Sequence, residues 1–373
     1  MLRAAALAVL MAAPASAEER TEIALLPGFA YSTDTGLGLG AVGSLARVGG
    51  EVTPYRWRLQ AQLFASAKAN PFEVVTHDHY VDLDVPGLAG GALRARGRLA
   101  FNRNIAVGWY GLGNDSQVGP DDRFDSYRRL QVVAETLERL RLAGRLEAYG
   151  GLRASFTDVD AYPGSRLEMD RDQLAGVEDH GSLVVSGGLL LDTRDHEAAP
   201  SRGLLAEIGA RAGVGPEVWA GVTASLRGFV PLIGPRLVLA TRLLGDALAG
   251  DPPFDELARH GGMSPGDTTG GGASLRGIPG QRYHGHVKLL GNTELRLRVV
   301  PFRIGGERFI LGVLGFVDAG RVWDDGDSDG LGLHVGAGGG LRVEWGTTFV
   351  VRADLAASPD GTSGFYIDVG QVF

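Results

Sequence analysis

Hydrophobic and polar positions alternate with a period of two over long stretches of this chain. In 55–68, Tyr55, Trp57, Leu59, Ala61, Leu63, Ala65 and Ala67 share one face, and Arg56, Arg58, Gln60, Gln62, Ser66 and Lys68 share the other, with Phe64 the exception. Period two is the signature of a strand. In 287–300, Val287, Leu289, Thr293, Leu295, Leu297 and Val299 oppose Lys288, Asn292, Glu294, Arg296 and Arg298; stretches 333–345 and 347–356 behave alike, the latter placing Arg352 and Asp354 on its polar face. Strands of soluble sandwiches usually run about 5–6 residues, whereas these run ten or more. An outward arginine at the bilayer midplane costs about 2–4 kcal/mol, so the apolar faces are expected to meet lipid and the arginine faces a wet lumen.

Strands are predicted near 22–31, 37–47, 55–67, 72–84, 92–101, 125–138, 140–158, 181–193, 203–213, 217–230, 236–248, 286–300, 308–319, 332–345, 347–357 and 364–373. The weakest stretch is 125–142, because Ala134-Glu135-Thr136-Leu137-Glu138-Arg139-Leu140 also fits a helix. The long connections 102–124, 159–180, 249–285 and 320–331 each follow an odd-numbered strand, while turns such as 230–235 are short. Long loops at one end and tight turns at the other suit an outer-membrane barrel with an even strand number. The expected fold is therefore all-β, a transmembrane antiparallel β-barrel of about sixteen strands. In the last strand Phe365, Ile367, Val369 and Gln371 share the outward face, and the terminal Phe373 resembles the aromatic signal by which such barrels are recognised for insertion.

Composition narrows the classes. The 58 glycines argue against a helical protein, since each costs a helix interior roughly 1 kcal/mol. With no cysteine there is no disulfide scaffold and no thiolate metal site. A net charge of −8 and scattered arginines do not suit nucleic acid. Met1-Leu2-Arg3, the apolar run to Pro14 and Ala15-Ser16-Ala17 read as a signal peptide (1–17) cut after Ala17, leaving 18–373 as the barrel.

Four segments together resemble the BamA/TamA-like surface-antigen family of outer-membrane barrels. They are Leu191-Asp192-Thr193-Arg194-Asp195 with Pro200-Ser201-Arg202-Gly203, Ser274-Leu275-Arg276-Gly277, Gly291-Asn292-Thr293-Glu294-Leu295-Arg296, and Gly315-Phe316-Val317-Asp318-Ala319-Gly320. The start, Pro27 to Gly36, looks like the family's first hairpin. The resemblance implies sixteen strands and a long sixth extracellular loop folded inward, its Arg276-Gly277 anchored on the lumenal Asp318 with Glu294 as a second inward carboxylate. Ile278 stands where many members carry an aromatic. The resemblance also implies periplasmic POTRA domains in members that insert or secrete proteins; here about five residues separate the expected cleavage site from the first strand, so none is expected in this sequence.

Other motifs favour plain readings. Gly38-x-Gly40-x-x-Gly43 copies a dinucleotide fingerprint but sits in a strand pattern, not before a helix. Gly262-Met263-Ser264-Pro265-Gly266 copies a nucleophile elbow but lies in a loop. Asp325 to Gly330 copies half a calcium loop, with Gly336 where the twelfth-position glutamate belongs, and a solvated acidic tip is the preferred reading. His77 and His79 share a strand face without an evident third ligand. No cofactor, metal or catalytic residue is expected. The function expected from the resemblance is assistance to insertion or translocation of outer-membrane or secreted polypeptides, with a separate periplasmic partner in place of POTRA domains. A passive pore or surface barrel plugged by its loop is the alternative, and an outer-membrane lipase the remote one.

Overall fold

A computed structural model describes residues 19–49, 55–69, 72–263, 269–304, 307–328, 330–345 and 349–373. The expected leader 1–17, Ser264 of the elbow match and Asp329 of the acidic run lie outside the described residues.

Sixteen antiparallel strands form the wall: β1 (Arg20–Ser32), β2 (Gly36–Val48), β3 (Trp57–Ala69), β4 (Phe72–Gly87), β5 (Leu93–Gly108), β6 (Ser126–Ala143), β7 (Leu146–Ala161), β8 (His180–Asp192), β9 (Gly203–Val214), β10 (Val218–Ile233), β11 (Leu237–Gly250), β12 (Val287–Ile304), β13 (Glu307–Trp323), β14 (His334–Trp345), β15 (Phe349–Ala357) and β16 (Ser363–Val369). Each pairs with its sequence neighbours, and β1 meets β16 to close the barrel. The helix-compatible 134–140 lies inside β6, where register with both neighbours overrides local propensity. β5, β7 and β13 run further than their alternation predicts, to Gly108, Ala161 and Trp323, so the wall rises into the loops.

Side chains sort by face. Leu25, Leu39, Leu63, Leu99, Ile208, Leu243 and Leu355 are exposed on the outside. Near the turn end Phe302, Phe309 and Trp345 stack in series with centroids 5.3 and 5.4 Å apart, and near the loop end Tyr31 and Phe365 meet at 5.6 Å. An apolar belt between two aromatic rims matches a lipid-facing surface. Tyr55 corrects the face assigned above: it precedes β3, is buried, and donates its hydroxyl to Asp84 at 2.5 Å. Phe64 has a structural reason for breaking the pattern, because its inward ring lies over Gly38 and Gly40, where any Cβ would collide with it.

The inside departs from a simple wet lumen. Several inward arginines are paired, among them Arg94 with Asp84 at 2.6 Å and Arg96 with Asp82 at 2.5 Å. The loop half is filled by an apolar cluster that includes Trp109, Tyr127, Trp219, Phe254 and Leu257. The reason is loop 251–286, which carries Phe254 and Leu257 into the barrel and buries them against the wall.

Candidate functional site

Loop 251–286 joins β11 to β12 and brings Ser274 to Ile278 into the lumen. Leu275 and Ile278 pack with Leu244, Tyr283, Leu290 and Val322, so Ile278 supplies the apolar contact at the tip. Gly277 has φ 90° and lies against the backbone of Ala356 and Ala357, where a Cβ would be crowded. These constraints aim Arg276 at three strands.

The Arg276 guanidinium is fully buried. Its Nε and Nη2 donate to the two Asp318 oxygens at 2.7 and 2.9 Å, and its backbone N–H donates to Oδ2 at 3.2 Å. Nη1 lies 2.7 Å from Glu294 and 3.4 Å from Asp354, and the plane covers the Phe316 ring at 3.4 Å. Burial disfavours the Arg276 charge, but the Asp318 hydrogen bonds and the fields of Glu294, Asp318 and Asp354 outweigh it and hold its pKa above the ordinary value. Asn292 donates to Asp318 at 2.7 Å and to the Ser274 carbonyl at 2.6 Å. Thus Arg276, Gly277, Glu294 and Asp318 meet in one place.

Sequence reasoning left Asp354, Asp368, Arg342 and Arg352 out of this anchor. Asp354 accepts from Arg342 at 2.6 Å and from Arg352 at 3.2 Å, and Arg352 reaches Asp368 at 2.9 Å. Four guanidiniums (Arg276, Arg296, Arg342, Arg352) therefore face four carboxylates (Glu294, Asp318, Asp354, Asp368). The inward alternation of 347–356 was the available signal. A second anchor joins Asp246 to Arg211 at 2.7 Å and Lys288 at 3.1 Å, and receives the Gly261 N–H at 2.9 Å.

The remaining candidate residues lie elsewhere. Asp192, Arg194, Asp195 and Gly203 belong to the β8–β9 turn at the opposite end. There Arg194 donates to both Asp192 oxygens at 3.0 and 2.8 Å, and Asp195 caps the Ser201 and Arg202 N–H groups at 2.9 and 3.2 Å. Phe365, Ile367 and Val369 point outward along β16. Phe373 does not join them, which corrects the predicted strand to 373: β16 ends at Val369, Gly370 takes φ 97°, and Phe373 turns inward to an apolar pocket. His77 and His79 lie side by side at 5.7 Å, and no group of three metal-ligating side chains occurs among the described residues. Asp327 of the acidic run accepts backbone N–H groups of Asn114 and Asp324 at 2.7 and 2.8 Å, knitting two loops together.

The seam is the other distinctive place. All of β1 pairs with β2, but along β16 only Tyr31 and Ser32 find partners, Ile367 and Tyr366, among the described residues. Arg20–Ala30 thus presents an edge at the turn end. The loop end of the seam is tied to loop 251–286 on both sides. The Gly277 N–H donates to the Tyr366 hydroxyl at 3.2 Å, and the Gly280 N–H donates to Asp34 in the β1–β2 turn at 3.3 Å. Burial pushes the Asp34 carboxyl up, against the opposing pull of that Gly280 hydrogen bond.

Comparison with known proteins agrees with this architecture. Residues 122–373 match the Omp85 superfamily domain. Among solved structures, BamA from Haemophilus ducreyi lacking POTRA domains 1–3 aligns over 94% of this chain and 70% of its own, with a TM-score of 0.60 at 15% identity. CdiB from Escherichia coli aligns over 96% of this chain and 64% of its own (TM-score 0.57, 13% identity), and CdiB from Acinetobacter baumannii over 95% and 66% (0.53, 14%). The chain thus spans slightly under two thirds of either CdiB. No curated protein sequence matches it. With the domain match covering more than half of its residues and a closed sixteen-stranded barrel as its fold, the chain belongs to the Omp85 superfamily.

Proposed function

We propose that this barrel resides in the outer membrane and assists the insertion or translocation of other polypeptides, acting through the β1–β16 seam without covalent chemistry. The observation that carries the reading is the edge of β1: Arg20–Ala30 is hydrogen-bonded on its β2 side and finds no β16 partner among the described residues. A free strand edge is a template on which an incoming strand adds its backbone hydrogen bonds. The fold likeness to BamA and CdiB and membership of the Omp85 superfamily support it. In this reading Arg276 anchors the loop, the outward residues of β16 carry the chain's own insertion signal, and a separate periplasmic partner delivers clients. The test is removal of the chain from cells, followed by quantification of the outer-membrane proteome and of proteins that co-purify with the tagged barrel. Selective loss of a set of outer-membrane or secreted proteins supports the reading. An unchanged proteome refutes it in favour of a plugged barrel, the alternative that the loop-filled lumen favours.

A further inference from the structure

The lipid-facing wall carries a polar tile toward its loop end. Alternation along β4 puts His77 and His79 on the outer face with Val81 and Leu83, and alternation along β5 puts Arg103 there with Leu99 and Phe101. Register opposes His77 to Arg103 and His79 to Phe101, and the rings of the second pair stack at 5.9 Å with 8° between their planes. The two histidine rings lie 5.7 Å apart. Flanking outward positions are apolar, Leu63 and Ala65 on β3 and Leu130 and Val132 on β6. Arg103 is exposed, and no carboxylate reaches it among the described residues. Arg128, exposed and outward on β6, is by contrast paired with Asp160 at 2.5 Å. His79 Nδ1 accepts the Phe64 N–H at 3.3 Å, so the neutral ring carries its proton on Nε2.

The height of the tile is set by the belt beneath it. Ala95 on β5 is level with the outward, exposed Glu138 of β6, and Arg103 follows Ala95 by eight positions. At about 3.4 Å per residue and the usual strand tilt, that is roughly 20 Å of height, less than an apolar band of about 25 Å. An arginine is costly inside that band and nearly free of cost at its edge, so Arg103 extends to the headgroup level just above the Phe101 ring. A phosphate there takes two parallel N–H donors from the planar guanidinium, and imidazole N–H groups beside it add further donors. We propose that Arg103, His77 and His79 form a phosphate site for a phosphorylated glycolipid of the outer leaflet, whose acyl chains lie over the exposed Leu63, Leu99 and Val132. Donors converging from three side chains suit a phosphomonoester, which offers three terminal oxygens where a phosphodiester offers two. The long loops place this end of the wall on the outer-leaflet side. The site rests on residence in the outer membrane and not on client handling.

The probe is diphosphoryl lipid A, titrated against the full chain in detergent micelles and read as one-lipid adducts by native mass spectrometry. Arg103→Gln is expected to bind it at least tenfold more weakly than the wild type, with Arg103→Lys between the two. His77→Gln combined with His79→Gln should weaken binding several-fold. Arg128→Gln removes an equally exposed outward charge and should bind as the wild type does. Dephosphorylated lipid A and phosphatidylglycerol should each bind the wild type at least fivefold more weakly, the first reporting the phosphate and the second the monoester. Heat-modifiable migration on gels verifies folding of every variant. Equal binding by the wild type and Arg103→Gln, or an equal loss in Arg128→Gln, overturns the site in favour of general charge attraction. Equal affinity for phosphatidylglycerol overturns the glycolipid assignment. Because binding is read on the purified chain, an unchanged outer-membrane proteome after removal of the chain discards client handling without touching this site.

Discussion

The charged anchor beneath loop 251–286 and the seam between β1 and β16 use the same sheet in opposite ways. Around the anchor, β12 and β13 pair from Val287 with Trp323 to Ile304 with Glu307, and every carboxylate of the group meets a guanidinium. At the seam, pairing stops after Tyr31 and Ser32, and the last residues of the chain turn away from β1. The two regions nevertheless touch, because Tyr366 pairs with Ser32 through its backbone and accepts the Gly277 N–H through its hydroxyl. A rigid anchor thus holds the loop end of an incomplete closure. Rigidity and openness are complementary here: an edge can be offered without loss of the barrel only if the wall opposite does not yield.

The largest predicted effect comes from breaking the anchor. Arg276→Ala leaves Asp318, Glu294 and Asp354 buried with one cation fewer, and losing one partner of a buried pair costs about 3–5 kcal/mol. Loop 251–286 should leave the lumen, seen as a large gain in single-channel conductance and as new protease cleavage within the loop. Arg276→Lys keeps the charge but loses the two-point grip on Asp318, and should fall between. An Arg276→Ala barrel with wild-type conductance and proteolysis would refute the anchor role.

Much of the wall was legible beforehand, because lipid on one side and paired charge on the other impose strict alternation on every strand. The residues that broke the pattern had tertiary reasons: Phe64 covers Gly38 and Gly40, and Tyr55 turns in to reach Asp84. The inward faces of Glu294, Asp318 and Asp354 were equally visible, yet alternation says only which way a side chain points. That Asp354 joins Arg276 depends on how β15 registers with β14, a non-local quantity. The tail departs from its predicted strand for a related reason: residues 364–373 alternate well enough for a strand, but a glycine pivot and a pocket six strands away compete for the last three.

Closing the seam covalently sharpens the comparison next. Directly opposed Cα atoms in an antiparallel pair lie about 4.5–5.5 Å apart, within the range a disulfide spans. Tyr31→Cys with Ile367→Cys should join β1 to β16 in this cysteine-free chain. The control, Thr293→Cys with Val317→Cys, joins strands that are already fully paired. Client handling, scored by recovery of outer-membrane proteins in cells that lack the native chain, should cease with the first disulfide and return with reductant. The control should complement throughout. Full complementation by the oxidised seam would show that Tyr31 need not part from Ile367, leaving the already free Arg20–Ala30 edge to act alone.

A smaller change tests the contact between the two regions. Tyr366→Phe removes the acceptor of the Gly277 N–H, worth about 1 kcal/mol, and leaves the strand apolar enough to pair. Loop opening should become roughly fivefold more frequent, the factor that 1 kcal/mol represents, and brief current steps should appear without the sustained current of Arg276→Ala. Stability of the whole barrel should barely change, because Asp318 still holds Arg276. Current traces identical to wild type would mean that anchor and seam are independent.

The smallest effect is one of pH, at the base of the same loop. His286, one residue before β12, contacts Asp324, one residue after β13, at 2.9 Å, and its N–H group donates to the same oxygen at 3.1 Å. The hydrogen bond to Asp324 raises the His286 pKa against the opposing effect of burial. For Asp324 burial pushes upward, but the His286 hydrogen bond and neighbouring N–H donors leave its pKa lowered. A raised histidine contributes stability that is complete below its unfolded value near 6.5 and fades as pH rises through the folded value; a lowered aspartate contributes stability complete above about 3.9 and fades on acidification. The pair is therefore strongest between roughly pH 4 and 6.5 and weakens toward pH 8. Because His286 is one-third exposed, the gain stays under about 1 kcal/mol. Amide-exchange protection of residues 285–287, corrected for intrinsic rate, should fall modestly from pH 6 to pH 8 in the wild type and stay flat in His286→Gln. The same slope in both would show that the pair does not fasten the loop base, leaving Arg276 and Asp246 as its anchors.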